Sequence, residues 1–399
     1  MLPKMKSNMT SETLTSYKNP VRVPPNDPLF KECTLRYIVI SDIHLGHRRT
    51  PTQHIIDNME IMLSVENLRG VDILFLAGDV FDRLLTFQCN EAIASTVWVT
   101  SLLSRCAALG VMVRVLEGTT SHDYAQSTIF NTIADLLSTT GLDMRYVNSL
   151  SIEYMAKHDI NVLYVPDNLR TTAEEVWEDV KGVLTAHGLE QVDIGIMHGG
   201  FEFQLPVPQK DTHDSKLYNR IVKYALSAGH IHIPNQLNRI LVQGSADRLT
   251  HNEEHAKGCM VIGLHPNGVI YGFIKNPAPK IYKTITVTGL SIEEVLTHLE
   301  TIEHYPADSY IRLRLNKTDP IALAMRTLSE RWPQYNWSSV DDKDADGTQD
   351  NIMAEISFTA NDAIFTITSN NIEQVVLGMF ANDPTVSTSI LTDIILEHK

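Results

Sequence analysis

The stretch Leu35–Arg49, "LRYIVISDIHLGHRR", decides how the rest of the chain reads. Its first part is a near-continuous apolar, β-branched run, the pattern of a strand buried on both faces. The run stops at Ser41, and Asp42 and His44 follow at i and i+2. On extended backbone those positions share a face. A carboxylate and an imidazole therefore reach toward one point beyond the C-terminal end of a strand, where open α/β sheets bind their ligands.

The same arrangement recurs along the chain. "VDILFLAGDVFD" ends a strand on Gly78 and Asp79, the glycine permitting a tight turn. "VMVRVLEGTTSHD" ends on a loop carrying Ser121, His122 and Asp123. "VDIGIMHGG" ends on His198, and "YALSAGHIH" on His230 and His232, again at i and i+2. Singly, each has a plainer explanation: a satisfied polar residue at a strand end, or a turn. In series, all at strand ends, they read as one site. Mixed carboxylate and imidazole ligands suit manganese, iron or zinc better than magnesium or calcium. Two such ions sharing a carboxylate provide the two-metal route to phosphoester hydrolysis.

Working outward, the runs between residues 35 and 275 alternate at first with helix-like segments near 52–68, 91–109, 127–139 and 171–186, then follow closely as hairpins. This predicts an α/β fold of two packed sheets flanked by helices. "KNPAPK", Lys275–Lys280, reads as a linker. Beyond it a strand–helix–strand–helix unit, residues 281–340, reads as a small α+β domain, followed by the acidic stretch 341–352 and a C-terminal segment, 353–399, with two amphipathic helical patterns. Within the acidic stretch "DKDADG" matches half of an EF-hand loop. The twelfth position falls on Met353, so the bidentate glutamate is missing and a linker is expected. Residues 1–30, rich in Ser, Thr, Pro and Asn, are expected to form a flexible arm without an apolar signal segment.

The chain has 399 residues, 43% hydrophobic and 20% charged, which is a globular composition with room for several domains. No run is read as a membrane span. The four cysteines form no Cys-x-x-Cys pair, so neither a zinc knuckle nor a disulfide framework is indicated, which fits a reducing, cytoplasmic setting. The net charge of −15 argues against a free-standing nucleic-acid binder, because phosphate neutralisation needs clustered Lys and Arg. It leaves a phosphate substrate open if bound cations or a basic partner supply positive charge.

The ordered set Asp-x-His, Gly-Asp, Gly-…-His-Asp, lone His and Gly-His-x-His resembles the calcineurin-like metallophosphoesterase superfamily over residues 31–276. The resemblance implies a four-layer αββα sandwich with a smaller capping domain and a short C-terminal helical tail. It implies that Asp42, His44 and His232 bind one ion and His198 and His230 the other. Asp79 would bridge, and His122 would be the catalytic histidine, oriented by Asp123. The superfamily's third motif is Gly-Asn-His-Asp. Here the Asn is missing and the turn is longer. Counted back from His122, Ser121 stands in its place as a weak oxygen ligand; Thr120 or a backbone carbonyl are alternatives.

Within the superfamily, "SDIHLGH" with the following "PTQHIIDN", and "ILVQGSADRLTHNEEHAKGCMVI" (Ile240–Ile262), resemble the SbcD-type DNA repair nucleases, relatives of the meiotic-recombination-eleven nuclease. In the latter stretch Gly244, Ser245, Arg248, Glu254, Lys257 and Gly258 fit the pattern, and Gln243 replaces the usual proline. This implies a manganese-dependent exonuclease on duplex ends and endonuclease on single strands. It also implies a homodimer partnered with an SbcC-type SMC-like ATPase, docked through the C-terminal segment. Arg48, Arg49, Arg83 and Arg248 are candidates for DNA phosphate contacts. The competing readings are a phosphoesterase for a small molecule or phosphoprotein, and a scaffold with a degenerate metal site.

Overall fold

The computed structural model describes residues 19–342 apart from Phe87 and Asn168. In chain order the strands are β1 (Val21–Arg22), β2 (Leu35–Ile40), β3 (Ile73–Ala77), β4 (Met112–Leu116), β5 (Met144–Val147), β6 (Ser151–Met155), β7 (Ile160–Val165), β8 (Val192–His198), β9 (Val222–Gly229), β10 (Asn235–Leu237), β11 (Ile240–Val242), β12 (Gly258–His265), β13 (Gly268–Lys275), β14 (Tyr282–Thr286), β15 (Tyr310–Leu315) and β16 (Asn336–Asp341). The helices are α1 (Thr52–Met62), α2 (Val65–Leu68), α3 (Asn90–Leu109), α4 (Thr120–Asp123), α5 (Ile129–Leu136), α6 (Ala173–Ala186), α7 (Ser215–Ile221), α8 (Ile292–Leu299), α9 (Pro320–Leu323) and α10 (Met325–Arg331).

The fold is mixed α/β, with three sheets among the described residues. A seven-stranded sheet runs β1-β13-β12-β2-β3-β4-β5 and a six-stranded sheet runs β10-β11-β9-β8-β7-β6. The strands that carry the chemistry are parallel: β2, β3 and β4 in one sheet, β7, β8 and β9 in the other. Their C-terminal ends therefore come together at one edge.

Side-chain alternation explains how the layers stack. On β2, Tyr37 and Val39 enter the core between the two sheets, where Tyr37 meets Phe75 edge-on at 5.5 Å. Ile38 and Ile40 face the other way, toward Ile55 and Met59 of α1 and Trp98, Leu102 and Cys106 of α3. On β7, Val162 and Tyr164 join the inter-sheet core, and Leu163 and Val165 pack with Val176, Val180 and Leu184 of α6. Buried on both faces, these strands need apolar residues at every position, which is why their sequences read as continuous runs.

Helix ends follow their capping chemistry. Thr172 and Glu175 form a capping box at the start of α6, and Gly110, at φ 69°, ends α3 in a left-handed cap. The expected helix over 52–68 is broken after Met62. Ser64 accepts from Asn67 N–H and starts α2 as a separate turn.

Two expectations change. The arm assigned to residues 1–30 is partly tied down: β1 pairs with β13, and Phe30 is the buried residue of a short 3-10 helix, Pro28–Glu32. The edge strands β5 and β6 add to the expected strands; they mix exposed, half-buried and buried positions and so lack a continuous apolar run. One described helix, α3, is long and apolar enough to cross a membrane by length and composition. Its Trp98, Val99, Leu102, Leu103 and Cys106 belong to the core.

The small domain holds the all-parallel sheet β14-β15-β16, packed on α8 and α10 around Val295, Leu299 and Leu328. The strand β16 runs to Asp341, one residue into the stretch read as linker. Tyr282 and Tyr310 stack at 4.8 Å where this domain meets the larger one. Tyr282 Oη lies 3.3 Å from Thr50 Oγ1, and Arg312 donates to Asn252 Oδ1 at 2.7 Å. The C-terminal segment 353–399 and most of the acidic stretch lie outside the described residues.

Candidate metal centre

Three strand-end loops are zipped together by their main chains. Asp42 N–H donates to Gly78 O at 3.1 Å, Ile43 N–H to Asp79 O at 2.8 Å and His44 N–H to Asp79 O at 3.1 Å. On the other side Ala246 N–H donates to Asp42 O at 3.2 Å. The glycines are sterically required. A Cβ on Gly78 would stand 2.2 Å from His198 Nδ1, and one on Gly118 2.1 Å from Asp79 N. Asp42, His44, Asp79 and His230 all adopt positive φ, at 52°, 54°, 50° and 90°. Each such backbone costs about 1–3 kcal/mol and persists where the surroundings over-determine it, typically at functional sites.

These loops gather the residues read from the sequence. Asp42, His44 and His232 offer ligand atoms within 4.8 Å of one another, and so do Asp79, His198 and His230. A third group, His44, Asp79 and His122, joins the two. Each imidazole of the centre has one nitrogen engaged. His44 Nδ1 lies 3.0 Å from Asp82 Oδ1, His198 Nδ1 2.7 Å from Ala77 O and His232 Nδ1 2.8 Å from Glu253 Oε1. For His198 the carbonyl can only accept, so Nδ1 carries the proton and Nε2 presents a lone pair. His44 Nε2 and His198 Nε2 are buried and make no hydrogen bond. His198 Nε2 faces Asp79 Oδ1 at 3.2 Å. Two buried ring nitrogens without a hydrogen bond, turned toward a carboxylate, are positions that a cation would satisfy, so this donor set fits divalent metal ions.

Charge points the same way. Burial lowers the His44 pKa, but the hydrogen bond to Asp82 and the charges of Asp79 and Asp42 overcome it and raise it to about 9. His198 is raised well above the usual histidine value: burial opposes, and Asp79 prevails. Asp79 is held below the carboxylate range, against burial, chiefly by His198. A pocket that draws protons onto fully buried imidazoles is strongly anionic, and divalent cations would relieve it.

The surrounding shell holds residues the sequence reading did not assign. Asp82 serves two rings: its carboxylate holds His44, and its carbonyl holds His122 Nδ1 at 3.2 Å. Glu253, not Glu254, supports His232; Glu254 turns to the small domain, pairing with Lys283 Nζ. The fully buried Lys257 donates to Glu253 Oε2 at 2.7 Å and to His232 O at 3.0 Å. Gln243, the departure from proline, donates to Ser41 Oγ at 2.6 Å, and Ser41 in turn donates to Asp42. Only the spacing "GDVFD" hints at Asp82 in advance. Glu253 is masked in sequence by its neighbour Glu254.

Three sequence assignments shift. Ser121 lies exposed on α4. Thr119, directly after Gly118, instead reaches the centre: its N–H donates to Asp79 Oδ1 at 2.6 Å and its hydroxyl lies 3.4 Å from His230 Nδ1. Asp123 does not orient His122. Its two oxygens accept from Phe81 N–H at 2.9 Å and Gly118 N–H at 2.8 Å, so it clamps the Asp79 loop to the third-motif loop. Of the arginines, Arg48 is exposed. Arg83 braces Gly46 O and Glu91, Arg49 lies over the Tyr310 ring, and Arg248 donates to Glu254 O.

No protein-family profile and no curated protein matches the chain. Among solved structures, 35 chains match. One of them is 13% identical and aligns over 60% of this chain and 98% of its own length, with a TM-score of 0.36. A likeness at that level carries no argument about fold or activity.

Proposed function

We propose that the chain is a metal-dependent phosphodiesterase that cuts DNA, working with two divalent ions, manganese being the one the resemblance implies. The observation that supports this most directly is the pair of ligand groups joined by a third one, His44, Asp79 and His122, which shares a residue with each. The succession of helices, sheet, sheet and helices agrees with the four-layer αββα sandwich that the resemblance to calcineurin-like metallophosphoesterases implies. Asp42, His44 and His232 would hold one ion, His198 and His230 the other, and Asp79 would serve both. Bound there, the ions would neutralise phosphate oxygens and lower the pKa of the attacking water.

The chain's own groups do the rest. The Asp82 carbonyl fixes the His122 ring through Nδ1–H, and in its imidazolium form the ring would pass the Nε2 proton to the leaving oxygen. Asp82 also holds His44, so the two rings keep a fixed edge-on relation at 4.9 Å. Asp123 keeps the two loops in register.

DNA is favoured over a small ester for two reasons. The segments around "SDIHLGH" and Ile240–Ile262 resemble SbcD-type nucleases. The loop leaving the first ligand group, through Arg49 and Thr50, touches the small domain through Tyr310 and Tyr282, so a cap adjoins the site. With a net charge of −15, the subunit would rely on its metals and on an SbcC-type ATPase partner to hold DNA, and would act as a homodimer. The test is incubation of the purified chain with manganese, linear duplex and single-stranded DNA, with and without such a partner. Cleavage abolished by chelation and strongly reduced by His122→Ala is expected. Intact DNA with rapid turnover of bis(p-nitrophenyl) phosphate would favour the small-ester reading. Inert protein with no bound manganese would favour the scaffold.

A further inference from the structure

We propose that the second ion site is completed by the Thr119 hydroxyl backed by the Asp167 carboxylate, a pair standing where the third motif lacks its amide. The inference rests on the metal-centre reading above and names the ligands that reading leaves open. Thr119 is tied to the centre by its main chain, since its N–H donates to Asp79 Oδ1 at 2.6 Å. Its hydroxyl lies 3.4 Å from His230 Nδ1 and donates to Asp167 Oδ2 at 3.0 Å. One oxygen thus links a carboxylate to an imidazole of the second ligand group.

The topology explains why Asp167 arrives there. It stands two residues beyond the end of β7 (Ile160–Val165), and β7 pairs in parallel with β8, which delivers His198. Asp167 is therefore one more acidic residue at the end of a strand, on the same edge as the others. The route by which Gly118 approaches the centre is closed to any side chain. The first residue able to present an oxygen after that glycine is Thr119.

A neutral hydroxyl is a weak ligand by itself. A carboxylate accepting its hydrogen bond raises the basicity of the oxygen, as outer-shell carboxylates do for imidazoles. It also adds a negative charge that an amide lacks. The second ion should then depend on Asp167, and the first should not.

The experiment is manganese titration of the full chain by calorimetry, with metal content after dialysis and the electron-spin signature of a coupled manganese pair as independent readouts. Wild type should take up two ions. Asp167→Asn should weaken one site about 10–100-fold, the usual cost of losing an outer-shell partner, leave the other site filled and abolish the coupled signal. Thr119→Asn, placed in the Asp167→Asn background, should restore the second ion by supplying an amide oxygen. Two ions bound with unchanged affinity in Asp167→Asn would overturn the proposal alone. So would loss of both ions in a folded Asp167→Asn protein, because the effect would not be confined to one site. Wild type binding fewer than two ions would overturn the metal-centre reading itself.

Discussion

The two ligand groups of the centre are held in different ways. The first, Asp42, His44 and His232, is supported by ionised side chains. Asp82 sits on His44, Glu253 on His232, and the buried Lys257 on Glu253. The second, Asp79, His198 and His230, is supported mainly by main chain and close packing. The Ala77 carbonyl holds His198, Thr119 N–H holds Asp79, and Gly78 and Gly118 leave the space both need. Charged supports on both its histidines should tune the first site; close packing, with the Thr119–Asp167 pair as its one charged support, should tune the second. Variants can break this contrast or sharpen it.

The largest effects belong to the residues common to both halves. Asp79 belongs both to the His198–His230 group and to the group with His44 and His122. Asp79→Asn should reduce manganese uptake to one ion or none and take cleavage to background, measured by metal content and a nuclease assay. His122→Ala should lower the cleavage rate about 10²–10⁴-fold, the range for a lost general acid, while both ions remain. If His122→Ala loses metal instead, the histidine is a ligand and the contrast between the two groups collapses.

Next comes the steric arm. Gly78→Ala puts a methyl 2.2 Å from His198 Nδ1, and Gly78 already holds φ 88°, where a side chain is strained. This variant should lose the second ion while the first is retained, provided circular dichroism shows a folded chain. Equal loss of both ions would mean that the two groups share one support.

The electrostatic arm is smaller and should affect the other ion. Glu253→Gln should weaken the first ion about 10–100-fold and leave the second unchanged, read by the same titration. Lys257→Met tests the layer behind it. It leaves Glu253 buried without its cation, and truncating one member of a buried pair costs about 3–5 kcal/mol, visible as a lower midpoint in denaturant. Burial raises the Glu253 pKa, but His232 and Lys257 outweigh that and hold it at about 2.

The same contrast explains how much could be read in advance. The ligands were legible because each follows a strand buried on both faces, and such strands announce themselves as unbroken apolar runs. The supports were less legible. Asp82 and Glu253 come from loops whose folding back on the centre no local pattern dictates, and Asp167 ends a strand with no histidine beside it to attract notice. The half-exposed edge strands β5 and β6 escaped for a related reason: their alternation is short and interrupted by charged residues. The tie between β1 and β13 pairs two residues at a distance of about 250 positions, and only the tertiary fold reveals it.

The smallest expected effect separates the third-motif loop as counted from its sequence from the loop as folded. Counting back from His122 puts Ser121 at the missing amide's position. That count assumes the extra residues bulge before Ser121. Instead the chain turns into α4 directly after Thr119, with His122 N–H and Asp123 N–H both donating to Thr119 O at 2.9 Å. The insertion is therefore absorbed as one helical turn beyond the ligand position, and this turn carries Ser121 out to solvent. Ser121→Asn should leave manganese stoichiometry and both affinities unchanged, whereas Thr119→Val should weaken the second ion. If Ser121→Asn tightens the second ion, the loop rearranges when metal binds, and α4 is then the part of the centre that moves.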